Sequence, residues 1–312
     1  MVSAYSQSME DMSFPDILTL AVPLFIGLII VEMIAVRLRR QGRYESKDAA
    51  ASLLMGLGSQ IAPLFGGAAI VSVVLMSVYH FRLIDIPNTF WAVALCFVID
   101  DFRYYWWHRI SHERRWFWAS HVVHHSSQHY NLTTALRQTW TGGIIGAILF
   151  KTSLVLLGFH PLMVIFVGAL NLFYQFWIHT EQIKRLGALE LVFNTPSHHR
   201  VHHATNPEYL DSNYAGTLII WDRLFNSFVA EEPSIKPRYG IIKNLETYNP
   251  LMISFHEWIG IVKDLRTARS ISDVMGYLFG PPGWSPDGSR MTSKAIKQRW
   301  QKINAEKNVP AE

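Results

Sequence analysis

Residues 90–125 read FWAVALCFVIDDFRYYWWHRISHERRWFWASHVVHH, and the order of residue types in this stretch decides the fold. An apolar run from Phe90 to Ile99 gives way to Asp100, Asp101 and Arg103, then to Tyr104, Tyr105, Trp106 and Trp107, and then to histidines at 108, 112, 121, 124 and 125. Aromatic clusters of this kind mark a membrane–water boundary. Positions i, i+3 and i+4 share one face of a helix, so His108-x-x-x-His112 and His121-x-x-His124-His125 each aim imidazoles at one point. The stretch reads as helix that leaves an apolar layer and presents histidines just beyond it.

Composition agrees with that reading. Half of the 312 residues are hydrophobic and 17% are charged, with a mean hydropathy of +0.13, more apolar than a soluble domain of this size needs. Disorder is excluded. Cys96 stands alone, which rules out an intramolecular disulfide scaffold and a cysteine-rich zinc or iron–sulfur site. A net charge of +4, from 28 basic and 24 acidic residues spread along the chain, offers no nucleic-acid-binding arm.

Crossing a hydrocarbon layer of ~30 Å takes about 20 apolar residues as helix. Ile17 to Val36 carries only Glu32 and ends in Arg37, Arg39, Arg40, Arg43 and Lys47, a cytoplasmic flank under the positive-inside rule. Glu10, Asp11 and Asp16 precede it without Lys or Arg, so the chain is expected to begin outside and not with a cleavable signal peptide. Ala49 to Tyr79 holds no charge over 31 positions, with a kink expected at Pro63 and Gly66-Gly67. Phe90 to Ile99 heads back in. Thr141 to Phe159 and Pro161 to Ile178 form a hairpin joined at Gly158 to Pro161, the first arm interrupted by Lys151. The expectation is an all-α polytopic integral membrane protein of four to five transmembrane helices with a cytoplasmic helical cap carrying a metal site. Its parts are residues 1–89, N-terminal transmembrane helices, residues 90–230, the catalytic domain, and residues 231–312, a soluble C-terminal extension rich in Pro, Gly and charge.

Ten of the 14 histidines fall in two windows, His108 to His129 and His198 to His203. The second holds His199-x-x-His202-His203, a further copy of HxxHH. A shuffled chain of this composition would contain about 0.03 such matches, and this one contains two. Eight imidazoles in three boxes exceed what one ion binds, so two metals are implied, from the set that imidazole favours: iron, zinc, copper or nickel. His179, at the end of the last span, is the ninth expected ligand. The metal set is thus His108, His112, His121, His124, His125, His179, His199, His202 and His203. His198, on one face with His202, is a candidate at the edge of the site. His129 is expected not to be a ligand, and His80, His160 and His256 are expected to be structural.

Spacing narrows the chemistry. A zinc protease needs HExxH, and His112-Glu113-Arg114-Arg115-Trp116 fails at its last position. Soluble di-iron bundles use Glu-x-x-His, which is absent. Transporters place polar ligands inside their spans, and these spans are almost free of histidine. An all-histidine di-iron oxygenase fits best, with a non-enzymatic metal-binding or metal-transport membrane protein as the alternative from another class.

The boxes resemble those of the fatty acid hydroxylase / sterol desaturase superfamily of membrane-bound non-haem di-iron enzymes. The closer likeness, to the alkylglycerol monooxygenase-like branch, rests on residues 101–109, His124-His125-Ser126-Ser127, Tyr130 to Gln138, Asn194 to His203, Asn213-Tyr214 and Trp221 to Phe225. The chain departs from the branch at Gln128, where Glu is usual, and at Asn226-Ser227-Phe228, where Gly-Thr-Phe is usual. The resemblance implies two irons that use dioxygen to hydroxylate a lipid C–H bond beside an ether oxygen, with tetrahydrobiopterin as reductant; the hemiacetal so formed collapses to an aldehyde and glycerol. A fatty acid or sterol hydroxylase or desaturase fed by a cytochrome or ferredoxin is the neighbouring alternative. The resemblance also implies a role for Glu113, as proton donor or acceptor beside the first box. Asp101, seven residues before His108, is placed to orient a ligand histidine. The membrane is expected to be a bacterial inner membrane or the endoplasmic reticulum, with the active site on its cytoplasmic side.

Overall fold

The computed structural model describes residues 14–307 except 41 and 66, so Glu10, Asp11 and Gly66 lie outside the described residues. Among the described residues the structure is helical, with two isolated β-bridges, Phe193 to Leu218 and Ala204 to Tyr239, and no strand. Helix α1 (Ile17–Arg39) starts where the Asp16 carboxylate accepts from the Thr19 amide at 3.2 Å, and its last turn carries Arg37 and Arg39. Its 23 residues rise about 35 Å, and it is the one described helix long and apolar enough to cross a membrane by itself. Leu20, Ile26, Ile30 and Ile34 are more than half exposed on it. Glu32, its lone acid, faces inward and accepts from the Leu132 amide at 2.8 Å and from the hydroxyls of Tyr44 and Thr180. A buried carboxylate with three donors ties α1 to the segment after the second box and to the residue after His179.

The other apolar runs are broken more than their composition suggests. Ala49 to Tyr79 divides into α2 (Ser46–Ile61), a 3-10 turn (Ala62–Leu64) and α3 (Gly67–His80), with the break at the expected Pro63. Thr141 to Phe159 contributes only α6 (Ala147–Leu157), 11 residues or about 16 Å, which corrects the reading of that run as a full span. Gly142 and Gly143 before it have no helical support, and residues 142–146 are turns. Helix α4 (Phe90–Glu113) carries the first box, α5 (Arg115–His125) the second, and α7 (Pro161–Trp177) leads to His179. One apolar cluster joins these helices, with Leu75 from α3, Ala92 and Cys96 from α4, Leu154 and Val155 from α6, and Met163 and Val167 from α7.

Polar ties then fasten the segments around the second box. Arg137, fully buried, donates to Asp48 at 3.0 Å, Ser52 at 3.1 Å and Ser126 at 2.9 Å, linking α2 to the end of the second box. Asn131 and Thr134 form a capping box that starts the turn Leu132–Leu136. The third box lies on the short α8 (Pro196–His202), and α9 (Ile220–Leu224) follows. The C-terminal helices α10 (Pro250–Leu265), α11 (Ile271–Phe279) and α12 (Ser293–Lys307) do not stand apart from this frame. Ile253 packs in one cluster with Ala51, Met55 and Val123, and Arg115 pairs with Glu257 and Asp264, both at 2.6 Å.

Candidate metal centre

Nine histidines from four places converge. Helix α4 supplies His108 and His112, α5 supplies His121, His124 and His125, the end of α7 supplies His179, and α8 with its cap supplies His199, His202 and His203. They sort into two groups, His108, His112, His121, His125 and His202 in one and His124, His179, His199 and His203 in the other, and within each group one ring nitrogen from every histidine lies within 4.8 Å of the others. The second box is shared, because His121 and His125 lie one helical turn apart while His124 turns toward the other group.

The spacings fit metal ligation. Nε2 of His108 lies 2.9 Å from Nε2 of His121, His121 and His125 are 3.2 Å apart, and His125 and His202 are 3.2 Å apart. In the other group His179 Nε2 lies 3.1 Å from His124 Nε2 and 3.0 Å from His199 Nε2. Two nitrogens bonded at right angles to one metal at 2.0–2.1 Å lie about 3 Å apart. Backbone carbonyls set the tautomers: Nδ1 of His108 donates to Tyr214 O at 2.7 Å, of His179 to Gln175 O at 2.7 Å and of His202 to Ser212 O at 3.0 Å. Each such bond leaves a bare Nε2 facing the group. Nε2 of His112 and of His203 are buried with no protein partner. Burial holds His202 down at about 3 and pushes His199 and His203 well below the usual imidazole range, so all three are neutral, the form a metal binds.

The loop that supplies two of those carbonyls is itself held by buried acids. Asp222 accepts from the Tyr214 and Ala215 amides, both at 2.8 Å, and from Ser227 Oγ at 2.7 Å. Asp101 accepts from the Thr217 amide at 2.8 Å, the Leu218 amide at 3.0 Å, the Trp221 indole at 2.9 Å and the Asn171 amide at 2.8 Å. The expected contact from Asp101 to a ligand histidine is therefore not made. His108 is oriented by a carbonyl, and Asp101 acts on it through the 214–218 loop. Asn226 sits at φ 56, a left-handed conformation that Gly or Asn tolerates, and Ser227 supplies a hydroxyl. The Asn226-Ser227 departure thus keeps both local requirements.

Two further candidates lie outside the groups. His198 points its Nε2 toward Glu190 Oε2 at 3.9 Å, packs against Phe228 and is in neither group. Glu113 accepts from Arg109 Nε at 2.8 Å and is in neither group. His129 is in neither group either. Sequence reasoning gave no role to Gln175, Ser212 or Tyr214 as orienting groups, because a carbonyl acceptor carries no residue-type signature. It also passed over Asp211, whose Oδ1 lies 3.6 Å from His112 Nδ1.

Two cavities reach the histidines and share no lining residue. The larger, about 490 Å³, runs between α1, α2 and α7, past Phe25, Leu53, Leu57 and Leu172, to His121, His124 and His179. The other, about 380 Å³, meets His112, His125, His202 and His203 beneath the C-terminal segment.

Residues 93–227 match the fatty acid hydroxylase family. The chain is 39% identical over 280 residues to an alkylglycerol monooxygenase of Danio rerio, covering 89% of this chain and 62% of that protein. It is 38% identical over 290 residues to the alkylglycerol monooxygenase of Homo sapiens, covering 91% and 63%. An ornithine lipid hydroxylase of Rhizobium tropici is 32% identical over 187 residues, covering 58% and 56%. The chain thus spans a little over three fifths of the alkylglycerol monooxygenases that it matches. No solved structure matches.

Proposed function

This chain belongs to the fatty acid hydroxylase superfamily, within its alkylglycerol monooxygenase-like branch, and on that premise we propose that it is a membrane-bound di-iron monooxygenase acting on an ether lipid. The observation that carries the reading is the larger cavity. It joins an apolar wall to three of the nine histidines, and with that wall set against the bilayer an alkyl chain would reach the centre without crossing water. The proposed reaction consumes the lipid, dioxygen and a two-electron, two-proton donor. It forms a C–O bond at the carbon next to the ether oxygen and releases water and the oxidised donor; the hemiacetal then breaks its C–O bond to give an aldehyde and glycerol.

Two bound irons would supply activation of dioxygen. The chain's own residues do the rest: the nine histidines would hold the ions as neutral ligands, and the carbonyls of Tyr214, Gln175 and Ser212 keep Nε2 of His108, His179 and His202 turned into the groups. Phe25, Leu53, Leu57 and Leu172 keep the alkyl chain in place and water out. In this reading α1, α3, α4, α6 and α7 lie in the bilayer, and the basic end of α1 puts the centre on the cytoplasmic side. The donor is tetrahydrobiopterin in the reading by resemblance; the ornithine lipid hydroxylase similarity favours, as a second reading, hydroxylation of another lipid, for which the neighbouring alternative is a cytochrome or ferredoxin as electron source.

Purified protein reconstituted with Fe(II) and given alkylglycerol, dioxygen and tetrahydrobiopterin is expected to release aldehyde, with iron near two per chain. His124→Ala is expected to abolish turnover with the fold intact. Absence of aldehyde together with oxidation of another lipid under a ferredoxin system overturns the branch assignment, and one iron per chain contradicts the two-iron centre. Metal transport without lipid turnover would replace the enzyme by a carrier.

A further inference from the structure

Five hydroxyls stand in the wall of the larger cavity, those of Thr19, Ser59, Tyr104, Ser120 and Thr139. Three have spent their protons: Thr19 donates to Asp16 at 2.6 Å, Ser59 to Gly56 O at 2.7 Å and Tyr104 to Gln175 Oε1 at 2.8 Å. The other two end a chain that begins outside the cavity. On α10 the Trp258 indole donates to Thr141 Oγ1 at 3.1 Å, Thr141 Oγ1 lies 3.0 Å from Thr139 Oγ1, and Thr139 Oγ1 lies 2.9 Å from Ser120 Oγ. An indole N–H only donates, so one end of the chain is fixed. Thr141 is buried, lines neither cavity, and among the described residues its hydroxyl has no acceptor but Thr139, so its proton goes there. Thr139 Oγ1 then accepts from that hydroxyl and from the Thr141 amide at 3.1 Å, which fills both its lone pairs, and it passes its own proton to Ser120. A serine inside a helix often returns its proton to the carbonyl one turn back, as Ser111 does to Trp107 O at 2.8 Å. Ser120 makes no such bond among the described residues, and its proton is left unspent.

We infer that Ser120 positions the substrate by donating to the ether oxygen of the lipid, and that Trp258, through Thr141 and Thr139, keeps that donor turned into the cavity. The inference rests on the ether-lipid reading above and adds the group that tells an ether from a hydrocarbon. In that reading the reacting carbon is bonded to the ether oxygen, so both sit beside the histidines. An ether oxygen has lone pairs and no proton, and only a donor can meet it. Carried into an apolar cavity it loses its water, and a donor placed there restores the lost bond. Ser120 immediately precedes His121, and both line the cavity, so the unspent proton stands where the oxygen has to come. No Asp, Glu, Lys or Arg is among the described lining residues, so no charged side chain competes for that contact. Helix α10 thus bears on lipid selectivity without reaching the cavity wall, since Trp258 lines neither cavity.

The test compares 1-O-octylglycerol with dodecane-1,2-diol, in which a methylene replaces the ether oxygen. Both are titrated calorimetrically into the detergent-solubilised full chain, loaded with Fe(II) and kept free of dioxygen, and the readout is the ratio of the two affinities. Ser120→Ala is expected to lower that ratio about 3–10-fold in disfavour of the ether, the net worth of one hydrogen bond, while the diol binds as before and so reports an intact fold. Ser120→Thr, which keeps the hydroxyl, is expected to hold the ratio within about twofold. Trp258→Phe keeps an aromatic ring against Trp116, where the two indoles now meet edge-on at 4.9 Å, and frees the chain to reverse so that Ser120 turns its proton onto Thr139. It is expected to lower the ratio by about twofold or more. A change of packing alone weakens both ligands alike and leaves the ratio where it was. An unchanged ratio in Ser120→Ala overturns the inference and leaves the ether-lipid reading standing if octylglycerol still yields aldehyde. A lowered ratio there with none in Trp258→Phe overturns the orienting role of α10. Binding of neither ligand overturns the placement of the lipid in this cavity and the inference with it. The expected shifts with no aldehyde under any electron donor overturn the reaction and keep the ether contact.

Discussion

Asp101 shows how a residue can matter to a metal centre without approaching it. Its carboxylate accepts four hydrogen bonds, two of them from the amides of Thr217 and Leu218, just past the residue whose carbonyl fixes His108. Asp101→Ala leaves four buried donors without an acceptor, each costing about 1–3 kcal/mol before the loop relaxes. The expected loss of stability is about 3 kcal/mol or more, read as a lower thermal midpoint, with iron content falling alongside. Turnover per bound iron is expected to hold, because the residue positions a ligand and moves no proton. A variant that keeps its iron and loses turnover would return Asp101 to the chemistry. HxxxH and HxxHH spacing picks out eight of the histidines and the end of the last apolar run the ninth, and the structure gathers the same nine into two groups. Their orienting groups were not legible, since Gln175, Ser212 and Tyr214 act through backbone oxygen that every residue carries. The seven-residue offset between Asp101 and His108 put both on one helical face, but a shared face does not say which neighbour fills the gap.

At the scale of elements, buried ionic ties join α2 to the segments around the second box, beside the apolar packing of Ala51, Met55 and Val123. Arg137 is the clearest case, held by Asp48 and Ser52 of α2 and by Ser126 at the end of the second box. Removing one partner of a buried pair leaves an uncompensated charge and costs about 3–5 kcal/mol, whereas replacing both with apolar groups of similar volume is often close to neutral. Arg137→Met is therefore expected to lower stability by about 3–5 kcal/mol, and Arg137→Met with Asp48→Leu to recover most of it, measured by denaturant unfolding in detergent. Additive losses in the double variant would show that the two side chains act independently. Element breaks were less legible than ties. The run from Thr141 to Phe159 is apolar enough for a span, yet its glycines at 142, 143 and 146 support turns until Ala147. Hydropathy counts composition, and helix length depends on where the backbone can keep its ladder of hydrogen bonds.

The whole molecule places its histidine cluster between two separate cavities, one along α1 and α2 and one beneath the C-terminal helices. That arrangement was out of reach of a reading that set residues 231–312 apart, because the contact of α10 with α2 and α5 depends on Ile253 and Glu257 meeting residues far away in the chain. It leads to a prediction that separates the cavities. Leu57 lines the larger cavity and touches none of the histidine groups, so Leu57→Trp narrows the alkyl path while leaving the nine ligands alone. Changes of even one methylene in an apolar pocket shift kcat/KM by about tenfold or more, and an indole adds far more bulk than that. The expected outcome is at least about a tenfold loss of kcat/KM for long-chain alkylglycerol, partial recovery with a shorter chain, and unchanged iron content and donor KM. Loss of iron, or an equal effect on long and short chains, would show that the lipid reaches the centre by another way.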